Sequence, residues 1–361
     1  MPNRAPSAGA PPTRGTGGSA AAASLAFFGL GLALGAVALR PALPVAGAPG
    51  ERVEIKLEHL RRHGERYDTL FVGSSRPFRG FVPSVFDSAT AAAGSPTHSF
   101  NLGVPGSRAM EIVRMLERVE RLRPEGWRTV FVDPEGFEVL LDEANYLSRA
   151  VIDWHDLETT RLVCDYIRET QGGRPGTGRK LWMHALACAY HLGGVGRALP
   201  WVDRGLGVRA DPEYVAETLG PELDGYAPQD REFKKGFKAK AEEYAERVED
   251  LARQAPSGPA PQAVRAFERV RRGIERLGAR PVFVAQPGMY LNGDLVLAAE
   301  AGGLGTLLRF DQPERFPGLY AFEARFDFNH LNRAGAEAFT RDLAQAYLAL
   351  DTGGALERDG Q

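Results

Sequence analysis

The chain has 361 residues, 43% hydrophobic and 25% charged, a globular balance with length for one large domain or two small ones. Its 44 Lys and Arg against 46 Asp and Glu leave a net charge of -2, which excludes the concentrated basic field of a nucleic-acid binder. Two cysteines, Cys164 and Cys188, are too few for a four-thiolate metal site or a disulfide framework, while one disulfide or two unrelated thiols both remain open.

Residues 1–19 are almost entirely Pro, Gly, Ala, Ser, Thr and Arg, with too little apolar surface to offset the entropy of ordering, and read as a disordered cytoplasmic tail. Residues 20–39 (AAAASLAFFGLGLALGAVAL) carry no charge, and 20 residues at about 1.5 Å each span roughly 30 Å of hydrocarbon. The run is apolar all round and longer than a typical signal core, so it reads as a retained transmembrane anchor. Ala46-Gly47-Ala48 keeps a cleaved signal peptide as the alternative. Arg4 and Arg14 before the run favour a cytoplasmic N-terminus, which places everything after residue 40 outside the cytoplasm. Residues 40–66 form a Pro- and Gly-containing tether and a charged helical segment (ERVEIKLEHLRRHGERY, 51–67, at its end).

From there, short apolar runs meet turn residues: Tyr67–Val72 before GSSR, Ser99–Leu102 before GVPGSR, Thr129–Val132 before DPEG, Pro281–Ala285 before QPG, and Gly305–Phe310 before DQPERFPG. Continuous short apolar runs alternating with amphipathic helices predict a doubly wound α/β domain with five parallel strands over residues 67–350. Residues 107–123 predict a helix with Ala109, Ile112, Val113, Leu116 and Val119 on one face, Glu111, Arg114, Arg118 and Arg121 opposite, and Ser107 as its cap. Residues 136 to about 260 interrupt the alternation and predict a helical insert, with short helices around Trp154, Trp182 and Trp201. A clearer helix over 231–254 carries Phe233, Phe237, Ala241, Tyr244 and Val248 on one face. That face is expected to pack on the core, a cap over the active site being the sharper alternative. A final helix over 333–350 turns Ala336, Phe339, Leu343, Ala346, Tyr347 and Leu350 inward, and 351–361 reads as a disordered tail.

Three segments fit nucleophilic acyl chemistry, which needs a hydroxyl, a base, a group that orients the base, and donors for the oxyanion. Val72-Gly73-Ser74-Ser75-Arg76 brings two hydroxyls to a strand end, with Ser75 preferred and Ser74 second. Asn101-Leu102-Gly103-Val104-Pro105-Gly106-Ser107 brings glycine N–H groups to the next strand end. Asp327-Phe328-Asn329-His330 sets an imidazole three residues from a carboxylate just before the last helix. Arg76 and Arg108 adjoin these motifs and are candidates for an anionic substrate group, with surface solvation the expected role. Asn101 is a further substrate-binding candidate. Asp133 and Glu135 have no His nearby in sequence, so no metal is assigned and no cofactor is called for. The histidines His59, His63, His98, His155, His184 and His191 show no recognisable spacing.

GSSR, NLGVPG and DFNHLN, each in order at a strand end, resemble the motif blocks of the SGNH (GDSL-like) hydrolase superfamily. The resemblance is strongest to its exported branch near polysaccharide O-acetylation proteins and the D-alanyl transfer protein of teichoic acid modification. It covers residues 67–135 and 280–350 and not the insert. It implies Ser75 as nucleophile, His330 as base, Asp327 as orienting acid, and Gly106 with Ser75 as oxyanion donors. It also implies an acylated envelope glycan or polymer as substrate, with a membrane-bound acyltransferase as a candidate partner. The family's Gly-x-Asn-Asp block is replaced by Val132-Asp133-Pro134-Glu135-Gly136, which removes one oxyanion donor, as is common in that branch. That loss keeps a second reading open: an SGNH-fold binding or assembly protein with weak or no turnover.

Overall fold

The computed structural model describes residues 27, 31, 51–123, 125–134, 146–195, 205–231, 233–256 and 261–358. Nearly all of the predicted anchor (20–39) and all of the tail 1–19 lie outside these residues, as do Trp201 and Glu135. Among the described residues no helix is long and apolar enough to cross a membrane.

The five apolar runs form the strands β1 (Thr69–Gly73), β2 (Ser99–Asn101), β3 (Thr129–Asp133), β4 (Arg280–Ala285) and β5 (Thr306–Arg309). All pair in parallel, in the spatial order β2-β1-β3-β4-β5. Successive side chains of a strand face opposite sides, and both sides are covered here. Leu70, Val72, Val130, Val132 and Phe283 enter one core, whereas Phe71, Phe131, Val282 and Val284 enter the other. The first core packs against α1 (Arg52–His63), α4 (Ala109–Leu122) and α10 (Pro261–Arg276). The second packs against α3 (Pro83–Ala92) and α12 (Arg333–Arg358), and the short α2 (Ser75–Gly80) follows β1 directly. In this strand order the direction of winding reverses between β1 and β3, the place where open α/β sheets bind ligands beyond their strand ends.

The insert contains α5 (Arg149–Trp154), α6 (Leu157–Gln171), α7 (Thr177–Leu192), α8 (Pro212–Leu219) and α9 (Ala241–Arg253); α11 (Gly293–Glu300) follows β4. Three expectations need correction. The helix predicted from 231 starts only at Ala241, because Gly236 adopts a φ of +79° and ends any helical run before it. Ser107 does not cap α4. The Glu111 side chain reaches back instead and accepts the backbone N–H of Arg108 at 3.1 Å. The last helix continues to Arg358, so part of the predicted tail is helical, in keeping with the helix formers Ala355-Leu356-Glu357-Arg358.

Cys164 and Cys188 are free thiols. The insert is knit instead by histidines that showed no spacing in sequence. His155 Nδ1 donates to the Val151 carbonyl at 2.6 Å and its Nε2 lies 2.9 Å from His184 Nδ1, while Trp154 stacks on the His155 ring at 3.8 Å. Both imidazoles are fully buried. Burial holds His155 near a pKa of about 4 and His184 near about 3, below the ordinary 6.5.

Because the folded state keeps these two rings neutral, the unfolded chain binds protons first as pH falls below about 6.5. Their contribution to stability is therefore intact above that pH and is lost as pH falls toward about 4. Thermal unfolding followed by tryptophan fluorescence should show a midpoint that drops between pH 7 and 4, and less so in His155→Phe with His184→Leu. A pH-independent difference between parent and variant would contradict this.

Candidate active site

Gly73 ends β1 with a φ of +154°, and a Cβ there would lie 2.4 Å from the Pro77 ring and 2.6 Å from the Asp133 carbonyl oxygen, so the chain can turn sharply only with glycine. Ser74 follows as the cap of α2. It is fully buried and its hydroxyl accepts the Arg76 N–H at 3.3 Å, which commits it to the fold and removes it as a nucleophile. Ser75 is the first residue of α2 and only half-buried. Its backbone N–H therefore sits at a helix N-terminus, where no intrahelical acceptor exists.

The Ser75 hydroxyl lies 2.8 Å from His330 Nε2, although 255 residues separate the two. His330 Nδ1 lies 2.9 and 3.1 Å from the two Asp327 carboxylate oxygens. Asp327 also accepts the backbone N–H groups of Asn329 and His330, each at 2.9 Å, so one carboxylate both closes the turn and orients the ring. Partial burial pushes Asp327 up, but the hydrogen bond and charge of His330 and the two N–H groups outweigh it and hold the carboxyl at about 2. With Asp327 ionised and accepting from Nδ1–H, Nε2 is left with a lone pair facing the serine hydroxyl.

The loop carrying the acid and base is held from beneath and above. Arg325, fully buried, donates to the Pro287 carbonyl at 3.3 Å and the Phe328 carbonyl at 3.0 Å. Burial lowers its pKa below the usual arginine value. Asn332 caps α12 through its acceptance of the Gly335 N–H at 3.0 Å. From the insert, Phe237 meets Phe328 edge-on at 5.0 Å, Arg247 lies 4.3 Å over the same ring, and the Lys234 N–H donates to the Phe326 carbonyl at 2.7 Å. The aromatic face expected to pack on the core thus packs in part on the Asp-His loop, because Phe322 and Phe328 present rings there that need cover.

Arg76 departs from its expected solvated role. It is 4% exposed and pairs with Asp133 at 2.9 Å, with its guanidinium 4.7 Å from the Tyr290 ring. A charge this buried is tolerated only when paired, and Asp133 at the end of β3 is the carboxylate within reach. Asn101 is likewise no free substrate contact: its side chain donates to the Pro77 and Phe81 carbonyls and accepts the Gly103 N–H, each at 2.8 Å. Arg108 is half-buried at the start of α4. Gly103 packs so closely on α2 that a Cβ would lie 2.5 Å from the Phe78 nitrogen, and Gly106 follows in an exposed turn with a φ of +81°. Among the described residues no group of His, Cys, Asp and Glu is arranged to hold a metal.

Lys56, on α1, went unnoticed in sequence. Its fully buried ammonium donates to the carbonyls of Asn101 and Gly103, both at 2.8 Å, and of Gly225 at 2.7 Å. All three ammonium hydrogens are thereby used. Burial lowers its pKa well below the ordinary value, and desolvation raises the nearby Asp224 to about 6 against the attraction of Lys56. The two carbonyls flank the glycine turn beside the serine, so Lys56 fixes that turn to the insert. Neither known protein families nor characterised proteins show a match to this chain when compared with it.

Lys56→Met leaves three buried carbonyls without a donor, at roughly 1–3 kcal/mol each, and should cost at least about 3 kcal/mol in denaturant unfolding. A loss under about 1 kcal/mol would show that water or a shifted backbone meets the need.

Proposed function

We propose that this chain is a serine-dependent acyl esterase or O-acyltransferase of the cell envelope, an SGNH-type enzyme anchored through residues 20–39 with its catalytic domain outside the cytoplasm. The observation that carries the reading is the unbroken chain of hydrogen bonds from Ser75 through His330 to Asp327 at the carboxyl edge of a parallel sheet. The envelope location, the glycan or polymer substrate and a membrane-bound acyltransferase partner rest on the sequence resemblance and on the apolar run.

In this mechanism the Ser75 oxygen attacks the acyl carbonyl carbon while His330 Nε2 takes its proton. The negative oxygen that develops accepts hydrogen bonds from the Ser75 and Gly106 N–H groups. His330 then gives its proton to the departing alkoxide oxygen, and the carbon–oxygen bond to the alcohol breaks, leaving Ser75 acylated. Water or a sugar hydroxyl, deprotonated by the same imidazole, attacks the acyl-enzyme and restores the serine. Hydrolysis and transfer differ only in which acceptor arrives.

A second reading, a binding or assembly protein with weak turnover, is favoured by one observation. Asp133 ends β3 as the buried partner of Arg76, and its carboxyl group is turned to that guanidinium where the resembling family has an asparagine amide to donate to an oxyanion.

Turnover of a small acetyl ester by the full-length protein separates the two readings. The enzyme reading expects hydrolysis above background, lost by about a thousandfold or more in Ser75→Ala and His330→Ala and by about 10³–10⁴-fold in Asp327→Asn. A folded parent with no turnover, or variants as active as the parent, would favour the binding reading.

A further inference from the structure

A cavity of about 210 Å³ lies beside the Val104–Ser107 turn, between the first turns of α4, the start of α1 and the insert helix α5. Its apolar wall includes Val53, Val104, Met115, Ala150, Ile152 and Val195. The arginines at its edge are each engaged by carboxylates: Arg114 by Glu117 and Asp156 at 2.6 and 2.7 Å, Arg118 by Glu54, and Arg149 by Glu51 at 3.5 Å. Of the acids on the lining, Glu51 pairs with Arg149, Glu111 accepts the Arg108 N–H and Asp153 acts on Arg114, so the charges around the cavity are engaged and it is suited to an uncharged occupant.

The geometry of ester attack says which part of a substrate would enter it. The carbonyl oxygen must face the oxyanion donors, and the departing alcohol must lie within reach of His330 Nε2, since that imidazole protonates it. The acyl chain takes the remaining direction. Ser75 follows β1, and the His330 loop is tied through Arg325 to Pro287, just after β4 on one side of β1. The cavity adjoins the turn after β2, on the other side of β1. An acyl chain that leaves the carbonyl on the side away from His330 passes along the Gly106 turn, and that turn also lines the cavity.

We infer that this cavity is the acyl subsite and that it takes an uncharged aliphatic acyl chain longer than acetyl; the inference rests on the triad reading above. At ~30 Å³ for a water-sized group, the volume admits about seven such groups. Each methylene buried there multiplies affinity by roughly four.

The test titrates N-methyloctanamide and N-methylacetamide, non-hydrolysable stand-ins for the two acyl groups, into full-length Ser75→Ala, with and without Ala150→Trp. Ala150 is an exposed residue on the cavity wall, so a larger side chain there fills the space without disturbing the core. The octanamide should bind at least about tenfold tighter than the acetamide, and Ala150→Trp should erase about tenfold of that ratio. Equal affinities, or a ratio untouched by Ala150→Trp, would overturn the assignment. Octanoyl and acetyl ester turnover by the serine-intact protein keeps the two claims apart. Turnover without a chain-length preference sinks the cavity assignment, whereas the amide preference without any turnover sinks the triad reading and leaves a chain-binding cavity.

Discussion

A parallel sheet covered by helices on both faces has no room for polar groups along its length, so the chain's polar chemistry is driven to the strand ends. There the last carbonyls and the loops that follow them must be satisfied without much water. Lys56 answers this need at β2 with three carbonyls, Asn101 ties the same turn to α2, the Arg76–Asp133 pair bridges α2 to the end of β3, and Arg325 secures the carbonyls around the Asp-His loop. Each is buried and each has at least one partner on a different segment, so together they set the relative positions of the loops within narrow limits. A serine and an imidazole brought from opposite ends of the chain can meet at 2.8 Å only on such a base.

The insert belongs to this frame. Its loop before α9 reaches both sides of the serine: the Asp224 carbonyl accepts the Asn101 N–H at 2.7 Å, the Arg79 guanidinium donates to the Ala227 carbonyl at 2.9 Å, and the Gln229 carbonyl accepts the Arg333 N–H at 3.0 Å. Phe237 and Tyr244 then close over Phe322 and Phe328. The insert therefore contacts the glycine turn, the serine helix and the Asp-His loop, and its integrity and that of the site are one problem. The buried His155–His184 pair, which needs neutral rings, links part of this scaffold to pH.

How much of this could be read from sequence follows from the distance over which each residue finds its partners. The strands were legible because burial on both faces demands an unbroken apolar run, and TLFV, TVFV and PVFVA supply it. Asp327 and His330 were legible because their geometry is closed within one turn. Lys56 was not, for its acceptors lie 45, 47 and 169 residues away, and nothing in RVEIKLEHL sets this lysine apart from a solvated one. The same holds for Arg76, whose carboxylate comes from β3, and for Arg325. Asn101 misled in the other direction: an asparagine at a strand end has the donors and acceptors a ligand would want, and the fold consumes them all. His155, just past the end of α5, and His184, on α7, come together through packing that no local pattern announces.

A working triad requires that His330 make Ser75 more nucleophilic than any other serine in the chain. Treatment of the folded full-length protein with a fluorophosphonate, followed by intact-mass and peptide mapping, tests it directly and without knowledge of the substrate. One adduct on Ser75, absent from Ser75→Ala and strongly slowed in His330→Ala, is the predicted result. No adduct on the folded parent, an adduct on a different serine, or a rate indifferent to His330 would contradict it.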